Sequence, residues 1–497
     1  MNDNELLKAE RNEAWRDELR KSIKASERTA LTRVNMPEEE ADVRNKSYVE
    51  VNKGLTAEQA LCEAKRCLDC VEPTCVQGCP VGIHIPYFIK KIEVGDVAGA
   101  ARVLKTYSAL PAVCGRVCPQ EKQCEANCFY TKKLNKPAVG IGFLERFAAD
   151  SERESGNMYI PEVAPSNGIK IGVVGAGPAG LTAASDLAKA GFAVTVFEAL
   201  HQIGGVLKYG IPEFRLPNIL VDVEIETLRK MGVKFETNFV VGKTATFEQL
   251  RQEGFEAFFV GSGAGLPNFM NIPGENLNGI LSSNEYLTRV NLMGASRKGY
   301  DTPVQLGKNV AVIGGGNTAM DSVRTALRLG AERAMIVYRR SEEEMPARLE
   351  EIHHAKEEGV EFMNLVNPIE YIGDERGRVK QMKVQRMELG EPDASGRRRP
   401  VVVEGSESLI DVDTVVVSIG VSPNPLVPSS LPGLDMTKWG TIKVNDDTMQ
   451  STIPWVFAGG DIVRGGATVI LAMGDGRKAA RGIYQYMCYV HPELINE

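Results

Sequence analysis

Between Cys128 and Cys488 the chain contains no cysteine. That gap excludes an active-site dithiol or disulfide across most of the protein. Also missing is any apolar run approaching the length of a membrane span, and the opening residues Met-Asn-Asp-Asn-Glu-Leu-Leu-Lys are charged where an export signal would be apolar. A cytoplasmic protein is expected. An excess of basic charge is lacking too: the formal net charge is −7, which argues against nucleic acid or an anionic membrane as the main partner.

What is present is concentrated. Nine of the ten cysteines fall between Cys62 and Cys128, a distribution that suits metal or cluster ligation in a reducing compartment better than a disulfide framework. The 497 residues suffice for two or three domains with full cores.

The chain is organised around Lys170 to Glu198, where an apolar strand runs into Gly175, Gly177 and Gly180, a helix follows, and a second apolar strand closes on Glu198. This is a dinucleotide fingerprint in its proper context. Gly175 allows the tight turn, Gly177 lets a pyrophosphate approach the backbone, and Gly180 lets the helix lie close to the strand. The helix N-terminus then faces the phosphates, and Glu198 stands where it can accept from a ribose hydroxyl. The later run Gly204-Gly205-Val-Leu-Lys-Tyr-Gly-Ile-Pro212 is a glycine-rich loop of the kind that lets a flat ring lie against backbone.

The pattern then starts again. Asn309-Val-Ala-Val-Ile-Gly314-Gly-Gly316-Asn317-Thr318-Ala-Met-Asp321 is a strand and glycine turn opening a helix, followed by a strand that ends on Arg339 and Arg340 instead of an acid. Arginine at this place accommodates a 2′-phosphate, so the second site should prefer NADPH to NADH. The runs Ala257–Gly265 and Asp413–Gly420 echo one another, which makes an internal duplication visible. Near the C-terminus a buried strand leads into Gly460 and Asp461, an acid placed to reach the ribityl or pyrophosphate region of a flavin.

Before the first fingerprint, Cys67, Cys70, Cys75 and Cys79-Pro80 have the spacing C-x2-C-x4-C-x3-C-P, close to a bacterial ferredoxin run. Cys114, Cys118-Pro119, Cys124 and Cys128 form a second group. Eight soft thiolates in two groups suit two iron-sulfur clusters; the competing zinc reading gains nothing from the Cys-Pro pairs. Thr56 and Gln59 predict a capping box opening a helix just before Cys67, Gly95-Asp96 punctuates two short helices between Ile83 and Ala109, and Ser151–Gly168 reads as a linker. Residues before Asn52 read as a solvated helical arm, with partner docking as the alternative. The adjacent His353 and His354 cannot form an i, i+4 metal pair and read as surface residues, and Cys62 and Cys488 as buried or spare thiols.

The cysteine run with Pro80, the segment Cys114-Gly-Arg-Val-Cys-Pro-Gln-Glu-Lys-Gln-Cys124, the Gly205 loop, Gly-Gly-Gly-Asn-Thr-Ala-Met-Asp with Tyr-Arg-Arg, and Ala-Gly-Gly-Asp461 together resemble the small-subunit family of NADPH-dependent glutamate synthase. The same module is similar to the large subunit of NADH-dependent ferredoxin:NADP oxidoreductase and the N-terminal part of dihydropyrimidine dehydrogenase. The resemblance covers nearly everything from Thr56 onward. It implies an α/β architecture: a helical iron-sulfur domain, then two Rossmann-like domains of adrenodoxin-reductase or glutathione-reductase type, with the NADPH domain inserted in the FAD domain. On this sequence the division would be an arm at 1–51, the cluster domain at 52–165, FAD-binding segments at 166–285 and 419–497, and the NADPH domain at 286–418.

The resemblance further implies FAD, two [4Fe-4S] clusters and NADPH as substrate. One cluster would take Cys67, Cys70, Cys75 and Cys128; the other Cys79, Cys118, Cys124 and Glu145. Composition alone would choose Cys114 as the eighth ligand, whereas the family motif at Gly140-Ile-Gly-Phe-Leu-Glu145 points to an oxygen. Hydride would pass from NADPH to FAD and single electrons onward through iron, with no proton-transfer residue named. A thioredoxin-reductase or glutathione-reductase activity fails on the missing cysteines. Met1 precedes Asn2, not a cysteine nucleophile, and no length remains for an amidotransferase or an FMN barrel, so a partner must complete the reaction. That partner, in a hetero-oligomer, would be a glutamate synthase large subunit; the alternative is an NADH- and ferredoxin-linked flavoprotein subunit.

Overall fold

The strand Lys170–Val174 consists of consecutive apolar residues after its first, and four of its five residues are buried, as the centre of a parallel sheet requires. In the computed structural model, which describes residues 3–393 and 396–495, it lies between Ala193–Phe197 and Phe255–Val260. Lys234–Glu236 and Val456–Ala458 complete the five parallel strands at the two edges. Met1 and Asn2 lie outside the described residues.

A second parallel sheet repeats this order, with Asn309–Ile313 at its centre between Arg333–Tyr338 and Thr414–Val417. Its edges are Glu361–Asn364 and Ile280–Ser282. The edge strand Ile280–Ser282 precedes residue 286, so the crossover into the second sheet comes earlier than a division at 285/286. The two crossing segments, Ala264–Pro267 and Val421–Pro423, pair antiparallel as a two-stranded hinge. Residues 366–411 add an antiparallel sheet of four strands, anchored on the long Val379–Pro392.

The N-terminal region is helical. Thr56 caps the helix Ala57–Lys65, its hydroxyl accepting from Gln59 N–H while the Gln59 side chain returns to Thr56 N–H. Asp96 caps Val97–Tyr107 in the same manner, accepting from Gly99 N–H at 2.8 Å. Its core is continuous with that of the first sheet, whereas the second sheet has its own. The N-terminal helical region and the first parallel sheet are therefore one packed body.

Three expectations need correction. The N-terminal arm is not solvated: Arg16 and Arg20 reach the Asp69 carboxylate, Arg28 pairs with Glu93 at 2.8 Å, and Arg44 reaches Glu358 at 3.2 Å, all on later parts of the chain. The helix Ile141–Glu154 extends into the segment read as linker, because Glu152 is drawn inward by Lys105 at 2.6 Å. His353 is exposed, but His354 is buried, with Nε2 3.1 Å from Glu38 of the arm. Cys62 is an exposed free thiol, the spare one of the two readings given for it.

Candidate functional site

Close backbone contacts shape the first glycine turn. Gly175 adopts φ +101° and donates to Phe197 at 2.8 Å; a Cβ there would stand 2.5 Å from the Gly261 carbonyl oxygen. A Cβ on Gly180 would strike the Gly175 carbonyl. Gly177 differs: a Cβ there would meet nothing within 4 Å, because it points into a cavity of about 1320 Å³. The helix Pro178–Lys189 starts at this opening, with proline in its first turn, so its free N–H groups face the cavity.

Glu198 closes the same turn. Its two oxygens accept from Ala176 N–H and Leu200 N–H, each at 2.8 Å, and burial pushes its carboxyl above the usual range while those donors oppose the shift. It therefore braces the glycine turn and keeps lone pairs toward the cavity. Gly205 packs against Gly177, a Cβ on it falling 2.9 Å from Gly177 Cα, and it lines the cavity, whereas Gly204 turns toward Lys208 and does not. Gly460 (φ +76°) and Asp461 close the floor. Asp461 is pushed up to about 6 by burial, with Asp475 nearby adding to the shift, and its Oδ1 accepts from Ala467 N–H at 3.2 Å.

The second turn repeats the first. Gly314 donates to Val337 at 3.0 Å as Gly175 does to Phe197, and a Cβ on it would strike the Ser418 carbonyl. Gly316, Asn317 and Thr318 line the same cavity as the first turn, so one space is bounded by both. The two arginines at the end of the second strand part company. Both line the cavity, but Arg339 is exposed and has no ion pair among the described residues, whereas Arg340 is buried, donating to Asp393 at 2.8 Å and to the Arg398 carbonyl at 2.8 Å. Sequence reasoning treated them as equivalent.

The cysteines gather in two places. Cys67, Cys70, Cys75 and Cys128 line one small cavity, and burial pushes Cys70 up to about 12, with the neighbouring Cys67 and Cys128 sulfurs adding to it. Cys79, Cys118 and Cys124 surround Glu145; burial pushes Cys79 up to about 11, with Glu145 and Cys114 adding to it. This second group depends on close helix packing. A Cβ on Gly115 would lie 2.6 Å from Arg146 N, so only glycine lets Pro111–Val117 rest on Ile141–Glu154 and bring Cys118 beside Glu145.

The donor sets fit iron-sulfur clusters better than zinc. Among the described residues no three of these sulfurs all lie within 4.8 Å of one another. A single tetrahedral zinc, with Zn–S about 2.3 Å, would hold its sulfurs about 3.8 Å apart. Glu145 is buried with Oε1 lacking any hydrogen-bond partner, and burial together with Glu224 pushes it up to about 8. Cys114 is accommodated otherwise: its Sγ lies 3.4 Å from Met473 Sδ and 3.8 Å from Ser108 Oγ.

Three connections had no signal in the sequence. Val117 lines the large cavity and immediately precedes Cys118, so the chain passes directly from the cavity wall to the second cysteine group. Arg215 and Asp321, also at the cavity, join the two nucleotide halves. Arg348 links the second glycine turn to the Cys118–Cys124 loop. All three arise from segments distant in the chain.

Comparison with known proteins is consistent along most of the chain. Residues 44–157 match the family model "Dihydroprymidine dehydrogenase domain II, 4Fe-4S cluster", and residues 169–476 match "Pyridine nucleotide-disulphide oxidoreductase". The small chain of NADPH glutamate synthase from Azospirillum brasilense is 38% identical over 464 residues, covering 92% of this chain and 95% of that one. Its counterpart from Escherichia coli (strain K12) is 36% identical over 465 residues, covering 92% and 98%. Among solved structures, Mycobacterium tuberculosis FprA in complex with NADPH superposes with a TM-score of 0.56 at 20% identity over 66% of this chain and 86% of that one, a likeness of fold.

Proposed function

The chain belongs to the glutamate synthase [NADPH] small-chain family, and from that premise we propose that it takes reducing equivalents from NADPH and delivers them to a large-subunit partner that makes glutamate from glutamine and 2-oxoglutarate. The observation that carries this reading is the single cavity bounded by both glycine turns, with Val117, the neighbour of Cys118, in its wall. The bound groups supply two-electron exchange between nicotinamide and flavin and one-electron relay through iron. The protein supplies position and electrostatics.

On this reading, the Gly175–Gly177 turn and the N-terminus of Pro178–Lys189 hold the FAD pyrophosphate through backbone N–H groups and the helix dipole. Glu198 accepts from a ribose hydroxyl with the lone pairs that Ala176 and Leu200 leave free. Gly205 gives the flat ring backbone to lie against, and Gly460 with Asp461 holds the ribityl side. The Gly314–Thr318 turn holds the NADPH phosphates, and Arg339 the 2′-phosphate. Because the two turns line one space, groups bound at each would share it, and alignment is what hydride transfer requires most. Cys67, Cys70, Cys75 and Cys128 would hold one iron-sulfur centre, and Cys79, Cys118, Cys124 and Glu145 the other. The protein works in the cytoplasm, where its thiols stay reduced.

The test is to purify the native assembly anaerobically, count iron, sulfide and flavin, add NADPH, and then assay glutamine plus 2-oxoglutarate against NADH plus ferredoxin. Bleaching of the flavin together with glutamate formation supports the reading. Iron-free protein, or activity only with NADH and ferredoxin, overturns it.

A further inference from the structure

The segment 345–349, whose Pro346 lines the large cavity, touches both candidate sites. On one side Ala347 N–H donates to the Gly315 carbonyl at 3.2 Å and Arg348 N–H donates to Asn317 Oδ1 at 2.9 Å. Asn317 is the first residue of the helix that opens at the second glycine turn, where a phosphate would lie. On the other side Arg348 Nη1 donates to the Arg116 carbonyl at 2.7 Å and Nη2 to Gln120 Oε1 at 2.9 Å. Lys122 Nζ donates back to the carbonyls of Pro346 and Ala347 at 3.0 and 3.2 Å.

Gln120 lies between Cys118 and Cys124, is 5% exposed, and donates through Nε2 to the Cys114 carbonyl at 3.4 Å. It is also wedged in place: a Cβ on Gly142 would have no room beside it. Arg348 itself is 5% exposed, and its planar fork reaches two separate acceptors in the iron-site domain while its backbone holds the nucleotide turn. Neither lysine nor glutamine reproduces that fork. A displacement of Asn317 is thus passed through one residue to the loop carrying Cys118 and Cys124.

We infer that Arg348 is a positioning residue that couples phosphate binding at the Gly314–Asn317 turn to the geometry of the Cys118–Cys124 loop, and so to the iron centre held there. The inference rests on the assignment of sites under Proposed function. Because coupling between two sites is reciprocal, reduction of that centre also changes nucleotide affinity by the same factor.

The probe is adenosine 2′,5′-bisphosphate, a redox-inert portion of NADPH that reaches only the second glycine turn. Dithionite-reduced holoenzyme is titrated with it anaerobically while the paramagnetic-resonance signals and midpoint potentials of both iron centres are followed. In the native chain, one centre responds along the binding curve and the other does not, and affinity differs about fivefold or more between the two states of the responding centre. In Arg348→Gln, iron content and bisphosphate binding persist and the response is lost; in Lys122→Met, an exposed position on the same contact, it is weakened. Should Arg348→Gln fail to fold, Lys122→Met decides. Native protein whose centres both ignore the bisphosphate, or variants with an undiminished response, overturns the inference. Iron-free protein would instead overturn the assignment of sites.

Discussion

Arg215 donates through Nη1 to both carboxylate oxygens of Asp321, at 2.7 and 2.8 Å, across the junction of the two nucleotide-binding halves. Both side chains are buried, and the Nε of Arg215 lies 2.9 Å from Glu351. The pair therefore fixes the angle at which one glycine turn faces the other. Removing one partner leaves a buried charge without its counterion, so Asp321→Ala should destabilise the protein by about 3–5 kcal/mol in denaturant unfolding. Replacing both, as Arg215→Met with Asp321→Leu, should recover much of that stability while the KM for NADPH stays raised, because the angle is no longer held.

The same network predicts acid sensitivity. The arginines around Glu351 and Glu358, acting against burial, lower both carboxyls from 4.5 to about 2. A carboxyl lowered in the folded state contributes stability that is full above 4.5 and is lost as pH falls toward 2. Each contributes up to about 3 kcal/mol, not additively, since they share Arg324. Unfolding followed by circular dichroism should therefore steepen below pH 4.5, and Glu358→Gln should flatten that slope at a lower overall stability.

The glycines of the first turn should separate into two kinds. Gly180→Ala drives a methyl into the Gly175 carbonyl and should lower the melting temperature of flavin-free protein. Gly177→Ala has empty space around its methyl, so flavin-free stability should hardly change, while retention of FAD through gel filtration should fall by tenfold or more, since the methyl would enter the place proposed for the pyrophosphate.

Arg339 and Arg340 should also part company. Arg339→Ser removes a charge-assisted contact worth about 1.5–3 kcal/mol, so kcat/KM for NADPH should fall roughly 10- to 100-fold while that for NADH changes little. Arg340→Ala breaks the contacts to Asp393 and Arg398 and should lower stability with a smaller change in the NADPH to NADH ratio.

At the proposed second iron site, Glu145→Ala should cost half of the bound iron, counted against protein after anaerobic reconstitution. Cys114→Ser should keep its full complement, because Cys114 already rests on Met473 and Ser108. The reverse pattern would make Cys114 the ligand.

The glycine turns and the cysteine groups were legible in the linear chain because each answers a local demand. Gly175 and Gly314 sit where the backbone needs φ of +101° and +140°, and soft thiolates at short spacing answer the chemistry of iron. The capping of Thr56 and Asp96 is equally local, completed within three residues. The antiparallel sheet within 366–411 left no comparable mark, since its strands bury few side chains and its long strand Val379–Pro392 carries polar residues throughout.

Tertiary structure alone decided the remainder: that the arm docks through Arg16, Arg28 and Arg44, that Arg339 stays free while Arg340 does not, that Val117 lines the large cavity, and that Arg348 joins the two sites. These relations pair groups tens to hundreds of residues apart. A turn or a ligand spacing is set by bond geometry within a few residues, but which charge meets which is settled only when folding removes both from water and each must find a partner.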